Sequence, residues 1–469
     1  MLAHRRRLRA AHGPAHRARV ATALLVGLAL AGCGPSAEIT SLTPSEVMSV
    51  SAWLTARVTG AQEAVVSATA PGAAEVVTPS LPVDHDSVTV ALLGMRADTD
   101  YEVTVHAIRH GGDGWSEPMT FHTGSLPAGL PTMSAHGDYS LRAKTLLGVV
   151  DPIAAAHAAI IVDGDGQVIW YHVTDHPVTD FQRQPDGTYT ACELSPGDTH
   201  FDQFDREGRL LRVWTAPPES AGTDWHEIRM LPGGQALLWG AETRTMDLSA
   251  MGGRPAAAVV GNVLYRVQPD GVVLFRWSAF DHLAIDDIDP AVDVTQGTVD
   301  WTHADAIDAG TDGTYLLTFR NLSQVVKISA DNGDILWRLG GKRSTFTFPD
   351  DPLGGPSFPH GARMTATNTV LLFDNGNGRA TRQSRAVEYS LDEPSGQARL
   401  LLQDGSSAPR FSPDMGFAQR TFPNTLVTYS ADGYVEEINS VISATPLWTL
   451  QLDASTAPIY RAVRVNSLY

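Results

Sequence analysis

Three histidines occupy equivalent places in successive repeats of this 469-residue chain. His226, His303 and His360 each lie 8 to 10 residues before a glycine or asparagine turn that leads into an apolar strand. The turns align the repeats, so each histidine stands at the start of an equivalent strand. An imidazole can act as a nucleophile, a proton donor or acceptor, or a metal ligand. We therefore expect the three imidazoles to form one site.

Other polar residues are predicted to reach the same site. Arg320 ends a strand, 315–319, that should pair antiparallel with the strand after His303 and return to the same end of the sheet. By the same reasoning Asn375 and Arg379, which follow the next such strand, are predicted to contact the substrate. Asp305 should share the face of His303, because it lies two residues further along a strand. Imidazoles beside a guanidinium suit an anionic substrate with an oxyanion group.

Two other uses of these residues stay open at this stage. His226, His303, Asp305 and His360 have the side-chain types that bind zinc or manganese, as in a metal-dependent hydrolase. A non-catalytic β-propeller that only binds a ligand or partner would also have polar side chains where its inner strands begin. Substitution of His360 and metal analysis would distinguish these alternatives.

The repeats that carry the histidines predict a six-bladed β-propeller over residues 131–469. A turn followed by a strand that ends in tryptophan occurs four times, with two weaker copies at 395–400 and before Trp448; the four are Asp165–Trp170, Glu207–Trp214, Asp270–Trp277 and Asn332–Trp337. A second turn and strand lie between these copies, so each repeat holds about two hairpins, or one four-stranded blade. No segment shows a sustained helical period.

Residues 37–124 predict a separate small β-sandwich. They read as short alternating strands, and the segment 93–105 with Tyr101 resembles the tyrosine corner of immunoglobulin-like and fibronectin type III domains. A stretch rich in glycine and proline, Gly124–Pro131, then serves as a linker. The whole chain is therefore predicted to be all-β.

Composition excludes several classes of protein. With 43% hydrophobic and 18% charged residues the chain is neither disordered nor collagen-like, and it lacks the repeated long apolar runs of a polytopic membrane protein. A formal net charge of -18 argues against nucleic acid as a partner.

The first 32 residues predict a signal peptide. An arginine-rich start precedes the apolar run Val20–Leu30, and the following Ala31-Gly32-Cys33 completes a segment that resembles a bacterial lipobox. We expect an exported protein, lipid-anchored at Cys33 on the periplasmic side of the envelope, at the outer membrane. The remaining cysteine, Cys192, lies in a strand-like run and is predicted to be a core residue.

Several motifs resemble the bacterial arylsulfotransferase (aryl sulfate sulfotransferase) family over roughly residues 140–469. They are Asp300-Trp301-Thr302-His303-Ala304-Asp305, Phe319-Arg320-Asn321-Leu322-Ser323-Gln324, Ile335-Leu336-Trp337-Arg338-Leu339-Gly340-Gly341, Phe373-Asp374-Asn375-Gly376-Asn377-Gly378, Ser384-Arg385-Ala386-Val387-Glu388-Tyr389 and Tyr460-Arg461-Ala462.

The resemblance implies an exported six-bladed propeller that transfers a sulfuryl group from an aryl sulfate to a phenol. It implies a ping-pong reaction through a sulfohistidine, with no nucleotide donor, cofactor or metal. By position His360 matches the family's nucleophile, and His226, His303 and Arg320 match its supporting residues.

The chain departs from the family pattern at two positions near these residues. Asp305 stands where relatives usually have asparagine, and Gly361 follows His360 where an acid is common. A carboxylate that faced a sulfate ester would repel it unless it were paired, protonated or used as a base on the acceptor. Substrate scope is therefore expected to depend on what Asp305 contacts.

Overall fold

The protein is described here by a computed structural model that covers residues 34–137, 144–150, 156–405, 408–439, 443–453 and 458–469. The predicted signal segment and Cys33 lie outside the described residues. Within them, no helix has both the length and the apolar character needed to cross a membrane. The described elements are almost entirely strands, which confirms the all-β fold class.

The N-terminal strands form two sheets around one core. One sheet contains β1 (Ser36–Pro44), β2 (Ala52–Thr59) and β6 (Ser87–Leu92). The other contains β3 (Glu63–Thr69), β4 (Val76–Val77), β5 (Leu81–Pro82), β7 (Asp100–Arg109), β8 (Gly112–Trp115) and β9 (Met119–His122). Tyr101 is fully buried, and its hydroxyl accepts a 2.8 Å hydrogen bond from the backbone N–H of Arg96, which is the contact of a tyrosine corner.

Six antiparallel sheets, called blades 1 to 6 below, follow in chain order. Blades 1 and 2 contain β11 (Lys144–Val149), β12 (His157–Val162) and β13 (Val168–Thr174), then β14 (Val178–Arg183), β15 (Tyr189–Glu193), β16 (His200–Phe204) and β17 (Leu210–Trp214). Blades 3 and 4 contain β18 (Thr223–Met230), β19 (Ala236–Met246), β20 (Ala257–Val267) and β21 (Val273–Ser278), then β23 (Ala304–Ala309), β24 (Thr314–Phe319), β25 (Gln324–Ser329) and β26 (Ile335–Gly340).

Blades 5 and 6 complete the set. They contain β27 (Pro359–Ala366), β28 (Thr369–Asp374), β29 (Arg385–Asp392) and β30 (Gln397–Asp404), then β31 (Phe417–Thr421), β32 (Asn424–Tyr429), β33 (Tyr434–Asn439) and β34 (Ser443–Leu452). Two extra strands extend blades 6 and 3, namely β10 (Met133–Gly137) on β34 and β22 (Thr298–Asp300) on β20. The described helices are short: α1 (Ala279–His282) and 3-10 turns at Ser249–Met251, Ile285–Asp287, Arg320–Leu322 and Ser430–Asp432.

The last strand of the chain closes the ring of blades. β35 (Ile459–Val465) pairs antiparallel with β11 and so becomes the innermost strand of blade 1. The first strands of blades 2 to 6 and β35 contact their neighbours in a closed cycle around one axis. The inner strands therefore share an orientation, and their starts meet at one end of the axis, which is the arrangement of a β-propeller.

The core between the blades contains tryptophans that end the repeated strands. Trp170, Trp277 and Trp448 are at most 1% exposed, and their indole N–H groups donate to backbone carbonyls of the next blade. An indole buried with its donor satisfied stabilises the contact between blades. Cys192 is also fully buried, and burial raises the pKa of its thiol, as expected for a core cysteine.

The sandwich packs directly on the propeller. Met48, Val50 and Leu93 share a core cluster with Ile169 and Leu468. Ile169 lies on β13, the outermost strand of blade 1, and Leu468 lies on the C-terminal tail after β35.

Candidate active site

Backbone irregularities occur where each histidine enters its blade. The pairing register shifts between Thr223 and Ile228 in β18, between Ala304 and Ile307 in β23, and between His360 and Arg363 in β27. His303 itself has a positive φ of 43°. A bulge rotates the side chains on either side of it away from strict alternation, so it can re-aim a side chain.

The three predicted histidines converge, as the sequence indicated. The ring centroids of His226 and His303 are 4.8 Å apart, and those of His303 and His360 are 6.5 Å apart, both in edge-to-face arrangement. His226 and His360 are 3% and 2% exposed. The His303 side chain is 23% exposed, so solvent reaches the cluster from this side.

Each imidazole is held through its Nδ1 atom by a different acceptor. The distances from Nδ1 are 2.6 Å to Asp224 for His226 and 2.5 Å to Asp300 for His303. An acceptor at Nδ1 places a proton there and leaves Nε2 for other partners. The Nε2 atom of His226 is buried without a hydrogen-bond partner among the described residues.

His360 is held by an amide instead of a carboxylate. Its Nδ1 lies 2.7 Å from Asn375 Oδ1, and the Asn375 amide nitrogen donates to the carbonyls of Ser412 and Met415 at 2.7 and 2.9 Å. Those two bonds identify the oxygen of the amide, so His360 must donate from Nδ1 and carries its lone pair on Nε2. Burial lowers the pKa of His360 to about 3, and the Arg320 charge acts in the same direction. Asn375 therefore contacts His360, and its predicted contact with the substrate stays a prediction.

His226 has the opposite protonation tendency. Burial alone would lower the pKa of His226, but the carboxylate of Asp224, helped by Asp305 and Asp300, raises it above its usual value. The site thus contains a neutral imidazole, His360, and an imidazole that holds its proton, His226.

Arg320 joins the cluster where antiparallel pairing predicted it. Its backbone N–H donates to the His303 carbonyl at 3.0 Å. Its guanidinium donates to Asn321 Oδ1 and to the Pro413 carbonyl, and it lies 4.9 Å from the Phe358 ring centroid. Its Nε is buried without a partner, and no carboxylate of the described residues lies within ion-pair distance. A buried guanidinium without a counterion favours an anion beside it.

Asp305 is engaged by the protein itself. One oxygen accepts a 2.6 Å bond from the Gly361 N–H, and the other accepts a 3.1 Å bond from the Tyr460 hydroxyl. Burial raises the pKa of Asp305, but the charges of Arg461 and His226 and the bond from the Gly361 N–H outweigh burial and lower the pKa to about 2. These contacts position the strand after His360, and a role of Asp305 towards the substrate stays a prediction.

No described contact joins Arg379 to the histidines, and its predicted contact with the substrate stays a prediction. Its Nη2 donates to the Asp374 carboxylate and to the Gly355 carbonyl, and Asp374 also binds Arg385. Asp374 and Asn375 are adjacent in an extended segment and point to opposite faces. Arg379 follows Asp374 into the blade, whereas Asn375 faces His360.

A buried network of charges next to the histidines was missed from sequence. Arg461 on β35 pairs with Asp180 at 2.8 Å and with Glu227 at 3.1 Å, and Arg363 also pairs with Glu227. All but Arg363 are at most 3% exposed. These residues come from four blades, so no single stretch of sequence contains the network. The one available signal was that Glu227 directly follows His226, and Arg461 directly follows Tyr460, near the start of an inner strand. The network ties the inner strands together behind the site.

The central residues do not form a compact metal-ligand set. Of the residues that the structure describes, no three drawn from His226, His303, Asp305 and His360 bring ligand atoms within 4.8 Å of one another. The Nδ1 atoms and both Asp305 oxygens are already occupied by protein partners. With each Nδ1 held by a protein acceptor, the Nε2 atoms are the ring nitrogens left for a substrate.

Comparison with protein families finds one match. The model of the family described as Arylsulfotransferase (ASST) matches residues 142–461 of the chain, which include every residue of the histidine site. No curated protein sequence matches the chain.

Solved structures resemble the chain at low identity. A protein of unknown function from Bacteroides caccae is 15% identical and matches 70% of this chain and 100% of its own, with a TM-score of 0.44. A catalytically inactive virginiamycin B lyase from Staphylococcus aureus with quinupristin is 11% identical over 70% of this chain and 88% of its own, with a TM-score of 0.36. AztD from Citrobacter koseri is 13% identical over 69% of this chain and 98% of its own, with a TM-score of 0.33.

Proposed function

We propose that this chain, which belongs to the arylsulfotransferase family, works by a ping-pong mechanism through a sulfohistidine at His360. Membership of the family makes it a sulfuryl transferase that acts on aryl sulfates and phenols. The observation that carries the proposal is the tautomer of His360. Its Nδ1 donates to Asn375, so the lone pair of a neutral imidazole stands on Nε2. With a pKa lowered to about 3, this nitrogen is unprotonated at neutral pH.

The sulfate group is held by the cations around His360. Arg320 carries a buried charge without a carboxylate partner, and His226 has a buried Nε2 without a hydrogen-bond partner in the described chain. His303 lies between the rings of His226 and His360. Donors fixed in place before the reaction stabilise charge that spreads over the sulfuryl oxygens in the transition state.

In the first half-reaction His360 Nε2 attacks the sulfur of the aryl sulfate. The N–S bond forms while the S–O bond to the ring breaks, and the phenolate leaves with the electron pair. His226, whose pKa is raised by Asp224, gives its proton to the phenolate oxygen. The products are a neutral phenol and His360 with the sulfuryl group on Nε2.

In the second half-reaction a second phenol gives its proton to the now neutral His226. Its oxygen attacks the sulfur, the N–S bond breaks, and the lone pair returns to His360. The cationic ring of the intermediate is stabilised by Asn375 Oδ1 at Nδ1 and by the nearby Asp305 carboxylate. Both groups end in their starting protonation states.

The transfer needs no nucleotide sulfate donor. The stretch 340–344 is the nearest the chain comes to a phosphate-binding loop, and it lacks that motif's upstream glycine. Its cations have protein partners: Lys342 donates to the Asp286 carbonyl at 2.8 Å, and Arg343 pairs with the Asp286 carboxylate at 3.0 Å. A simple aryl sulfate therefore serves as donor.

We also propose that the enzyme works outside the cytoplasm on a lipid anchor at Cys33. Support comes from the signal-like segment before it. Metabolic labelling with a radioactive fatty acid should mark the wild-type chain and leave Cys33→Ser unlabelled in the soluble fraction. Equal labelling of both would contradict the anchor.

The activity test is release of 4-nitrophenol from 4-nitrophenyl sulfate, with and without added phenol, in EDTA. We expect phenol-dependent turnover in the wild type and in His110→Ala, which changes an exposed histidine of the sandwich. His360→Ala should be inactive at an unchanged melting temperature. Mass spectrometry of enzyme treated with donor alone should find one added sulfuryl group on His360.

The alternatives give different results in the same assay. Activity lost only in EDTA would indicate a metal-dependent hydrolase. Absence of release with any phenol from a folded protein would indicate a binding propeller. A second sulfurylated residue in place of His360 would contradict the proposed nucleophile.

A further inference from the structure

A second cluster of ligand-type side chains lies on blade 2, apart from the central histidines. Glu193 ends β15 and His200 begins β16, and the two are directly opposite in the register of this hairpin. Asp202 lies two residues after His200 and so projects on the same face. One ligand atom from each of the three lies within 4.8 Å of the others.

The imidazole of His200 is already oriented towards the two carboxylates. Its Nδ1 lies 2.6 Å from the Asp198 carbonyl, which only accepts, so Nδ1 carries the proton. The lone pair is then on Nε2, which lies 3.7 Å from Asp202 Oδ1. That distance is too long for a hydrogen bond. A backbone carbonyl behind a histidine is the arrangement that fixes the tautomer of metal-ligating imidazoles.

Glu193 is supported in the same way. His176 Nδ1 lies 2.8 Å from Glu193 Oε1, which leaves Oε2 free to face the cluster. The side chains of Glu193, His200 and Asp202 are 12%, 16% and 12% exposed, so the cluster is recessed but open to solvent. An entry path for an ion therefore exists.

The cluster also lacks a permanent positive charge. In the described part of the chain no lysine or arginine lies within 4.0 Å of the Glu193 or Asp202 carboxylate. His172, the next imidazole, is largely buried, and burial lowers its pKa. Two carboxylates and a nitrogen lone pair that face one another repel unless a cation lies between them.

We propose that Glu193, His200 and Asp202 bind one divalent transition-metal ion, with Zn²⁺ as the ion that suits the set best. One imidazole nitrogen and two carboxylate oxygens are ordinary zinc ligands, and water completes the coordination. Ligands of a tetrahedral zinc ion with bonds of about 2.0 Å lie about 3.3 Å apart. The ligand atoms here lie within 4.8 Å of one another, so they need to close by at most about 1.5 Å. The ion would link the two strands at the loop end of the β15–β16 hairpin, where residues 194–199 connect them.

Titration of the full chain with ZnCl₂ by calorimetry tests the proposal. The protein carries no histidine tag and is stripped with EDTA, which is then removed. We expect one ion bound per chain, and a melting temperature that rises with Zn²⁺. His200→Ala should weaken the affinity at least ten-fold, and the isosteric Glu193→Gln and Asp202→Asn, which change no volume, should weaken it similarly.

The matched control is His122→Ala, which removes an exposed histidine paired with Asp100 at 2.8 Å in the sandwich. It should bind Zn²⁺ like the wild type. Failure of the stripped wild type to bind Zn²⁺ would overturn the proposal. So would equal affinity in the folded Asp202→Asn protein, or loss in His122→Ala equal to that in His200→Ala. Sulfuryl transfer in EDTA is a separate measurement, so its outcome does not affect this one.

Discussion

Asp305 Oδ2 accepts a 2.6 Å hydrogen bond from the backbone N–H of Gly361, the residue that follows His360. The bond joins blade 4 to blade 5, and the Tyr460 hydroxyl brings blade 1 to the same carboxylate. The two departures from the family pattern are therefore in contact with each other. A carboxylate at 305 supports the strand of His360, and both of its oxygens accept from protein donors.

Removal of the Asp305 carboxylate should lower the free energy of unfolding through lost hydrogen bonds more than through lost charge. Asp305→Ala leaves the buried Gly361 N–H unsatisfied, whereas the Tyr460 hydroxyl keeps its 2.8 Å bond to the His226 carbonyl. We expect the change to lower the free energy of unfolding by about 2 kcal/mol. Asp305→Asn can keep an acceptor towards Gly361 while the Tyr460 hydroxyl accepts from its amide, so it should cost less than half as much. Urea denaturation measures both. Equal losses would show that the charge, rather than the hydrogen bonds, matters.

Gly361 should tolerate no side chain. Its φ is 63°, and a Cβ there would lie 2.5 Å from Phe417 Cδ2. We expect Gly361→Ala to lower the free energy of unfolding by about 3 kcal/mol and to reduce kcat. Gly187→Ala has a similar φ of 85° with nothing near its Cβ, and should cost only about 1 kcal/mol. Similar losses in both variants would show that backbone strain alone accounts for the effect.

Asn375 should act through His360. Asn375→Ala removes the acceptor that fixes the tautomer, and we expect kcat to fall about 100-fold with little change in KM. Asn375→Asp places an anion at Nδ1, which raises the pKa of His360 and should make kcat/KM fall on the acid side at a higher pH than in the wild type. Asn439→Ala, another buried amide with a 2.9 Å bond to Asn424, is the control. An unchanged acid limb in Asn375→Asp would contradict the assigned contact.

The pH profile should depend on Asp224. The raised pKa of His226 means that its proton is present at and below its ordinary titration range and is lost as the pH rises through the folded-state pKa. Activity that depends on this proton should therefore decline as the pH rises. Asp224→Asn removes the raising carboxylate, so burial then shifts this decline to lower pH. The control is Asp100→Asn in the exposed His122 pair. A decline that stays in place would exclude His226 as the proton donor.

Much of the architecture was predictable because it repeats. Tryptophan and turn positions recur along the chain, and antiparallel pairing then brings Arg320 to His303 without further information. The same reasoning places Arg379 at an end of a blade but does not give the direction of its side chain, so its contact with the substrate stays a prediction. The blade 2 cluster was missed, because Glu193 and His200 meet only through the register of their hairpin.

The sequence by itself determined an all-β chain whose three histidines stand at equivalent strand starts, because local periodicity and turn residues specify strands and their order. Only the tertiary structure decided which nitrogen of each imidazole is free, what Asp305 contacts and which charges share the axis. Those properties depend on bulges that rotate side chains and on hydrogen bonds between blades far apart in sequence. The sequence pattern of one repeat does not specify where the side chains of another repeat lie.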